Sequence, residues 1–326
     1  MVEAVVADQQ SQQSWPLIVV AGATASGKSA LAIELAEALA RHGRACEIVS
    51  CDSVAVYRLM DIGSAKPSVE DRARVPHHCL DLYWPNEPCT AGDYARAART
   101  ALAEIRERSH IPVVAGGTGL YMRALLEGLA PAPPRDEVLR ERLREREASR
   151  GSGYLHRLLR RLDAGAAEAI HANDTPKLIR SIEVTLATRT PQTTQWAAGR
   201  DPLKGYRVLK LGLAPAREKL YERIDNRCEQ MLARGLIEEA AMLREKFGDE
   251  CRALGSLGYA QALAVLRGEM SPEQALAATR QGHRNYAKRQ GTWFRRESDM
   301  HWLQGFGDDA NIRDEAISLA KLHITA

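Results

Sequence analysis

Residues 17–29 read Leu-Ile-Val-Val-Ala-Gly-Ala-Thr-Ala-Ser-Gly-Lys-Ser. An apolar run suited to a buried parallel strand leads straight into Gly22, and Gly27, Lys28 and Ser29 complete the phosphate-loop spacing GxxxxGK[ST]. Such a loop turns its backbone N–H groups inward around an anion. Lys28 supplies a point charge there, and the Ser29 hydroxyl suits a magnesium ion. The stretch Gly22, Ala23, Thr24, Ala25, Ser26, Gly27, Lys28, Ser29 is therefore the expected diphosphate cradle. A helix is expected from about Ser29 to Arg41, with Leu31, Leu35, Ala38 and Leu39 on one face and Gly43 as its stop. Strand, loop and helix in this order predict an α/β fold of the P-loop NTPase type, a parallel sheet flanked by helices. The loop does not disclose whose phosphates it holds: a small-molecule kinase using ATP, a motor ATPase and a transferase that expels diphosphate all begin this way.

At 326 residues, with apolar and charged fractions of 45% and 27%, the chain has room for two domains and a sizeable core, and is neither fibrous nor largely disordered. Residues 1–14 resemble a loose tail without the features of a signal peptide. No apolar stretch approaches a membrane span, so a cytoplasmic protein is expected. The six cysteines, at 46, 51, 79, 89, 228 and 251, include no CxxC pair and read as free thiols. A zinc site from Cys46, Cys51, Cys79 and His77 or His78 fits no familiar spacing. A net charge of +3 is too small to argue for nucleic acid, so what matters is where the basic residues cluster.

A second strand is expected over Glu47–Ser50, followed at once by Asp52 and Ser53. In an open parallel sheet ligands bind beyond the carboxyl ends of the strands, which brings Asp52 close to the phosphate loop. Position alone weighs catalysis and capping of the next turn equally. Residues 56–67 read as an ordered loop. Pro76-His77-His78 precedes a short strand expected over Cys79–Leu82, and a helix is expected from Asp93 to about Arg108. Ile111–Ala115 is a further buried strand that opens into Gly116-Gly117-Thr118-Gly119. Thr118 is expected to project a hydroxyl into the cleft of Lys28 and Asp52. A helix from Leu120 to Leu129 closes the unit.

Prolines at 131, 133 and 134 mark a change of composition, and residues 131–200 read as an inserted helical lobe. The core is then residues 15–130 with 201–326. A loop at His171–Thr175 feeds a helix that sets Lys177 and Arg180 one turn apart. Tyr206–Leu213 returns to strand pattern, and helices are expected from Pro215 to Ala233, around 260–266 and from Pro272 onward. Between Arg280 and Arg296 the chain holds Arg280, Arg284, Lys288, Arg289, Arg295 and Arg296 without a carboxylate. At helical spacing Arg280, Arg284, Lys288 and Arg295 share a face beside Tyr286 and Trp293. A basic stripe interleaved with aromatics suits a phosphate backbone with unstacked bases; the alternative is an exposed helix whose aromatics enter the core.

The ordered set of Gly22–Ser29, Asp52-Ser53, Tyr57–Pro67, Pro76-His77-His78, Gly116–Tyr121, His171–Asp174, Gly258-Tyr259, Tyr286–Gln290 and Thr292–Arg295 resembles that of the tRNA dimethylallyltransferases. The resemblance implies transfer of a dimethylallyl group from dimethylallyl diphosphate to the exocyclic amine of the adenine 3′ of the anticodon. It assigns the loop to the donor diphosphate, with magnesium at Ser29, and the base of the tRNA anticodon loop must be flipped out to reach it. Asp52 is then the general base, a role worth roughly a hundred- to ten-thousand-fold in rate. Lys28 and Arg227 stabilise the departing diphosphate, and Thr118 bonds the diphosphate or the amine. The resemblance also places Asp52, Ser53, Val54, Ala55, Thr118, Arg140, Lys177, Arg180, Gly258, Tyr259, Lys288, Arg289, Gln290, Thr292, Trp293 and Arg295 at the tRNA surface. The chain departs from the family pattern at Ala23, Ala55, Lys177, Ala260 and Gly291. A monomer without membrane attachment is expected. A kinase using ATP and a noncatalytic RNA-binding protein are the competing readings.

Overall fold

In the computed structural model, which describes residues 14–197 and 199–326, strand and helix alternate up to Leu126. The loose tail expected at the N-terminus lies, but for Ser14, outside the described residues. The first elements are β1 (Trp15–Gly22), α1 (Lys28–Ala40), β2 (Cys46–Cys51), α2 (Val69–Arg74), β3 (His77–His78), α3 (Ala91–Glu107), β4 (Ile111–Gly116) and α4 (Gly119–Leu126). Five helices follow: α5 (Glu137–Arg150), α6 (Tyr154–Leu162), α7 (Ala164–Ala169), α8 (Thr175–Thr188) and α9 (Gln192–Ala197). The chain then runs through β5 (Tyr206–Leu213), α10 (Arg217–Ala233), α11 (Leu236–Phe247), α12 (Tyr259–Leu266), α13 (Pro272–Phe294), β6 (Met300–Leu303) and α14 (Ala310–Thr325).

The six strands form one parallel sheet in the order β3-β2-β4-β1-β5-β6. β1 is inside it, with Ile18 level with Val113 of β4 and Leu209 of β5. Helices cover both faces of such a sheet, so its central strand is apolar along its length. Leu17, Ile18, Val19, Val20 and Ala21 are all fully buried. Successive side chains of β1 divide between the two layers. Ile18 and Val20 pack with Leu31 and Leu35 of α1 and Ala316 and Ala320 of α14. Leu17, Val19 and Ala21 pack with Tyr94 and Leu102 of α3, Leu125 of α4 and Phe294 of α13.

The chain divides into two compact units, residues up to 126 with 203–326, and residues 127–202. These limits fall a few residues outside those read from composition. The second unit has a core of its own in Leu143, Leu155, Leu159, Ile170, Leu178 and Ile182.

Some elements differ from expectation. The strand expected at Cys79–Leu82 is instead His77–His78, because Cys79 and Asp81 take φ of 61° and 55° and turn the chain out of the sheet. The helix after β4 ends at Leu126 rather than Leu129. α11, β6 and α14 were not anticipated, and β6 is a four-residue edge strand beside Lys210–Leu213.

Candidate active site

The phosphate loop joins β1 to α1 in a conformation that only its sequence permits. Gly27 caps α1 with φ 87°, and a Cβ there would stand 2.8 Å from both the Gly307 nitrogen and the Asp308 carboxylate. No side chain caps α1, so the N–H groups of its first turn stay open toward the loop. The back of the loop is fastened to the segment after β6 by a bond from Gly307 N–H to Ser26 O at 2.9 Å. Lys28 folds back to donate to Ala23 O at 2.6 Å. Ser29 is exposed at the mouth.

Beside this loop lies a cleft lined by Thr24, Lys28, Ser29, Asp52, Arg227 and Tyr286. Asp52 leaves the end of β2 half-buried, and its Oδ1 accepts the N–H groups of Val54 and Ala55 at 2.8 and 3.1 Å. Oδ1 thus caps the turn, and Oδ2 has no hydrogen-bond partner among the described residues. Ala55 is buried and also lines the cleft. The backbone at Cys51 passes close to Gly116, where any Cβ would collide with the Cys51 carbonyl.

Two cations share the cleft. Burial, with the neighbouring Arg227 charge adding to it against the pull of Asp52, lowers the Lys28 ammonium to about 8. Burial likewise lowers Arg227 below the usual arginine range, and its Nε is shielded with no partner among the described residues. Two close positive groups with one carboxylate between them make a site for a multiply charged anion.

Thr118 is not itself among the lining residues; its hydroxyl accepts the Ser53 N–H at 3.1 Å, faces the Ser53 hydroxyl at 3.4 Å and bonds the side chain of Tyr286, which does line the cleft. The phenol that lines the cleft is Tyr286, pushed up to about 12 by burial and by Asp52, so it remains a hydrogen-bond donor. Tyr286 is read in the sequence as part of the stripe and of the Tyr286–Gln290 motif, without a place in the cleft. Its place four residues before Gln290, on the same helical face, is the signal that finds it.

Several residues expected at an RNA surface are inside the fold. Tyr259 is fully buried, donating to Glu239 at 2.5 Å and accepting the Gly63 N–H at 3.2 Å; Gly258 before it is buried too. Gln290 is buried, accepting from Thr24 N–H and donating to Gly117 O. In the second unit Arg140 is buried against Glu137 and Glu183, and Arg180 is spent on Glu183 and Pro133 O. Lys177 is exposed and, among the described residues, paired only with Asp174 at its own helix start. Arg280 and Arg284 of the stripe are ion-paired to Glu229 and Asp225 of α10. Lys288, Arg289, Thr292 and Arg295 are exposed, Trp293 is half-buried under the Arg123 guanidinium at 4.5 Å, and Val54 is half-buried.

The paired histidines are occupied elsewhere: His77 bonds Val75 O, and His78 bonds Glu47 together with His110. Among the described residues no three His, Cys, Asp or Glu side chains gather to hold a metal, and no helix is long and apolar enough to cross a membrane.

The IPP transferase family matches residues 55–297. The chain is 56% identical over 305 residues to the tRNA dimethylallyltransferase of Koribacter versatilis, covering 94% of this chain and 98% of that one. It is 52% identical over 303 residues to that of Solibacter usitatus, covering 93% and 97%. A solved eukaryotic dimethylallyltransferase acting on tRNA superposes with a TM-score of 0.78 at 25% identity, covering 95% of this chain and 80% of that one. The full-length tRNA isopentenylpyrophosphate transferase of Bacillus halodurans gives 0.69 at 33% identity, covering 95% and 97%.

Proposed function

Because the chain belongs to the tRNA dimethylallyltransferase family and so prenylates the exocyclic amine of the adenine 3′ of the anticodon, we propose that Lys28, Arg227 and Asp52 divide the reaction between them. The observation that carries this division is the pair of crowded cations facing one half-satisfied carboxylate in a single cleft. Dimethylallyl diphosphate lies with its phosphates on the open N–H groups of α1, between Lys28 and Arg227. As its C1–O bond breaks, negative charge grows on the departing diphosphate, and both cations stabilise it there more than in the ground state. The adenine amine is a poor nucleophile because its lone pair is delocalised into the ring. Oδ2 of Asp52 takes the amine proton as the new N–C bond forms, while Oδ1, already bonded to two backbone N–H groups, keeps the carboxylate in place.

Magnesium fits this cleft. The exposed Ser29 hydroxyl has no hydrogen-bond partner among the described residues, and magnesium binds through one or two protein oxygens together with waters and substrate phosphates. When bound, it adds positive charge against the leaving diphosphate.

For the RNA, the exposed Lys288, Arg289, Thr292 and Arg295 of α13 support a phosphate-binding face for the anticodon loop, and Lys177 is the candidate contact of the helical unit. The target adenine turns out of its stack to reach the cleft. The donor assignment is tested by Lys28→Ala. Transfer to tRNA, followed by mass spectrometry of its nucleosides, should fall about a hundred- to a thousand-fold in kcat/KM, as for loss of one stabiliser of transition-state charge. Wild-type kinetics in that variant would show that the diphosphate is held elsewhere.

A further inference from the structure

Resting on the reading that the phosphate loop holds the donor, we propose that Gln290 is a positioning residue that sets the spacing between this loop and the Gly116–Gly119 loop. That spacing decides how the donor carbon meets the amine. The two loops leave the ends of neighbouring strands, β1 and β4, and each carries one side of the cleft. Gln290 is 5% exposed and reaches both. Its Oε1 accepts the Thr24 N–H at 2.8 Å, and its Nε2 donates to Gly117 O at 2.9 Å.

Among the described residues it is the one side chain hydrogen-bonded to both loops. A Cβ on Gly117 would collide with Nε2, so the loop lies directly against the carboxamide. The Thr24 amide is thereby withdrawn from the anion cradle and used to fix the turn, next to Ala25 at φ 61°. The next helical turn repeats the arrangement: Trp293 packs on Gly119 where any Cβ would collide with its indole. Thr118, between these two glycines, then holds the Ser53 N–H beside Asp52. One face of α13 thus fixes both the donor loop and the turn that carries the base.

The task requires a carboxamide. It presents an acceptor to one loop and a donor to the other. A carboxylate would keep the Thr24 bond but turn a lone pair toward Gly117 O, and a thioether would keep neither. A residue bound to RNA instead would leave a polar end exposed, whereas both ends here are engaged within the fold.

The test compares Gln290→Met and Gln290→Glu with wild type, measuring kcat, KM for donor and for tRNA, and the ratio of diphosphate released to adenine prenylated. A misplacement of about 1 Å costs on the order of a hundredfold in rate. Gln290→Met should lose that much in kcat, with Gln290→Glu between it and wild type and KM for tRNA unchanged in both. The product ratio should rise above one, as water replaces the amine: the C–O bond breaks, water oxygen bonds the allylic carbon, and a proton passes to solvent with release of dimethylallyl alcohol. A rise in KM for tRNA with kcat and the ratio unaltered overturns the proposal in favour of an RNA contact. Wild-type values in the Glu variant, which conserves shape and does not depend on the Met variant folding, overturn it as well. Failure of the donor assignment is separate, since that appears in Lys28→Ala.

Discussion

A carboxylate stands toward each end of β2, Glu47 within the strand and Asp52 just beyond it, and the two have opposite surroundings. Glu47, near the start of the strand, is 4% exposed and accepts two bonds from Arg108 at 2.8 and 2.9 Å, one from His78 at 2.6 Å and one from His110 at 2.7 Å. Asp52, just past the strand's other end, uses one oxygen on two backbone N–H groups and leaves the second facing a cleft that holds two cations. A carboxylate with all its acceptor sites filled can only hold structure together. One that is held by half and open by half is placed to take a proton without moving.

The largest effect that sharpens this contrast is expected at Asp52. Asp52→Asn preserves an acceptor for the turn and removes the base, so kcat should fall about a hundred- to ten-thousand-fold while the folded structure and tRNA affinity stay near wild type. Single-turnover transfer and a direct tRNA-binding measurement check the two halves. Near-normal turnover would return Asp52 to the status of a cap, and the contrast with Glu47 would collapse.

At Glu47 the expected loss is in stability alone. Burial by itself would raise this carboxyl, but the bonds from Arg108, His78 and His110 outweigh it and hold the group at about 2, against 4.5 in the unfolded chain. The folded value is the lower one, so its contribution is complete above about pH 4.5 and is lost as pH falls through 2. That displacement corresponds to about 3 kcal/mol. Glu47→Gln should remove about this much from urea unfolding at neutral pH, flatten the acid limb of the stability profile, and leave kcat unchanged. An acid limb that is the same in both proteins would mean the cluster does not couple to folding.

What could be read in the sequence follows the same division. The phosphate loop, β1, β2 and β4 were legible because their causes are local: an apolar run, a glycine that alone takes φ 87°, and a strand end at which Asp52 must emerge. β6 was not, because four residues at a sheet edge carry too short a pattern to separate from a loop. The roles of Gln290, Tyr259 and Arg140 were hidden for a different reason. Their partners lie far away in the chain, at Thr24 and Gly117, at Glu239 and Gly63, and at Glu183, so helical spacing shows which face they share but not what covers it.

The basic stretch of α13 repeats the comparison in cations and gives the smallest expected effect. Arg280 and Arg284 are matched by Glu229 and Asp225 of α10, whereas Lys288, Arg289, Arg295 and Arg296 meet no carboxylate among the described residues. A side chain releases counterions from RNA only if its charge is not already neutralised. Lys288→Ala should therefore lower the slope of log K against log salt by about 0.7, the increment for one single-strand phosphate contact. Arg284→Ala should leave that slope alone, since it breaks an ion pair inside the fold and uncovers Asp225. Filter binding of tRNA across a salt series separates the two. Equal slopes for both variants would mean that the first half of α13 exchanges its α10 partners for phosphates when RNA arrives, and the face used for recognition would then extend over the whole helix.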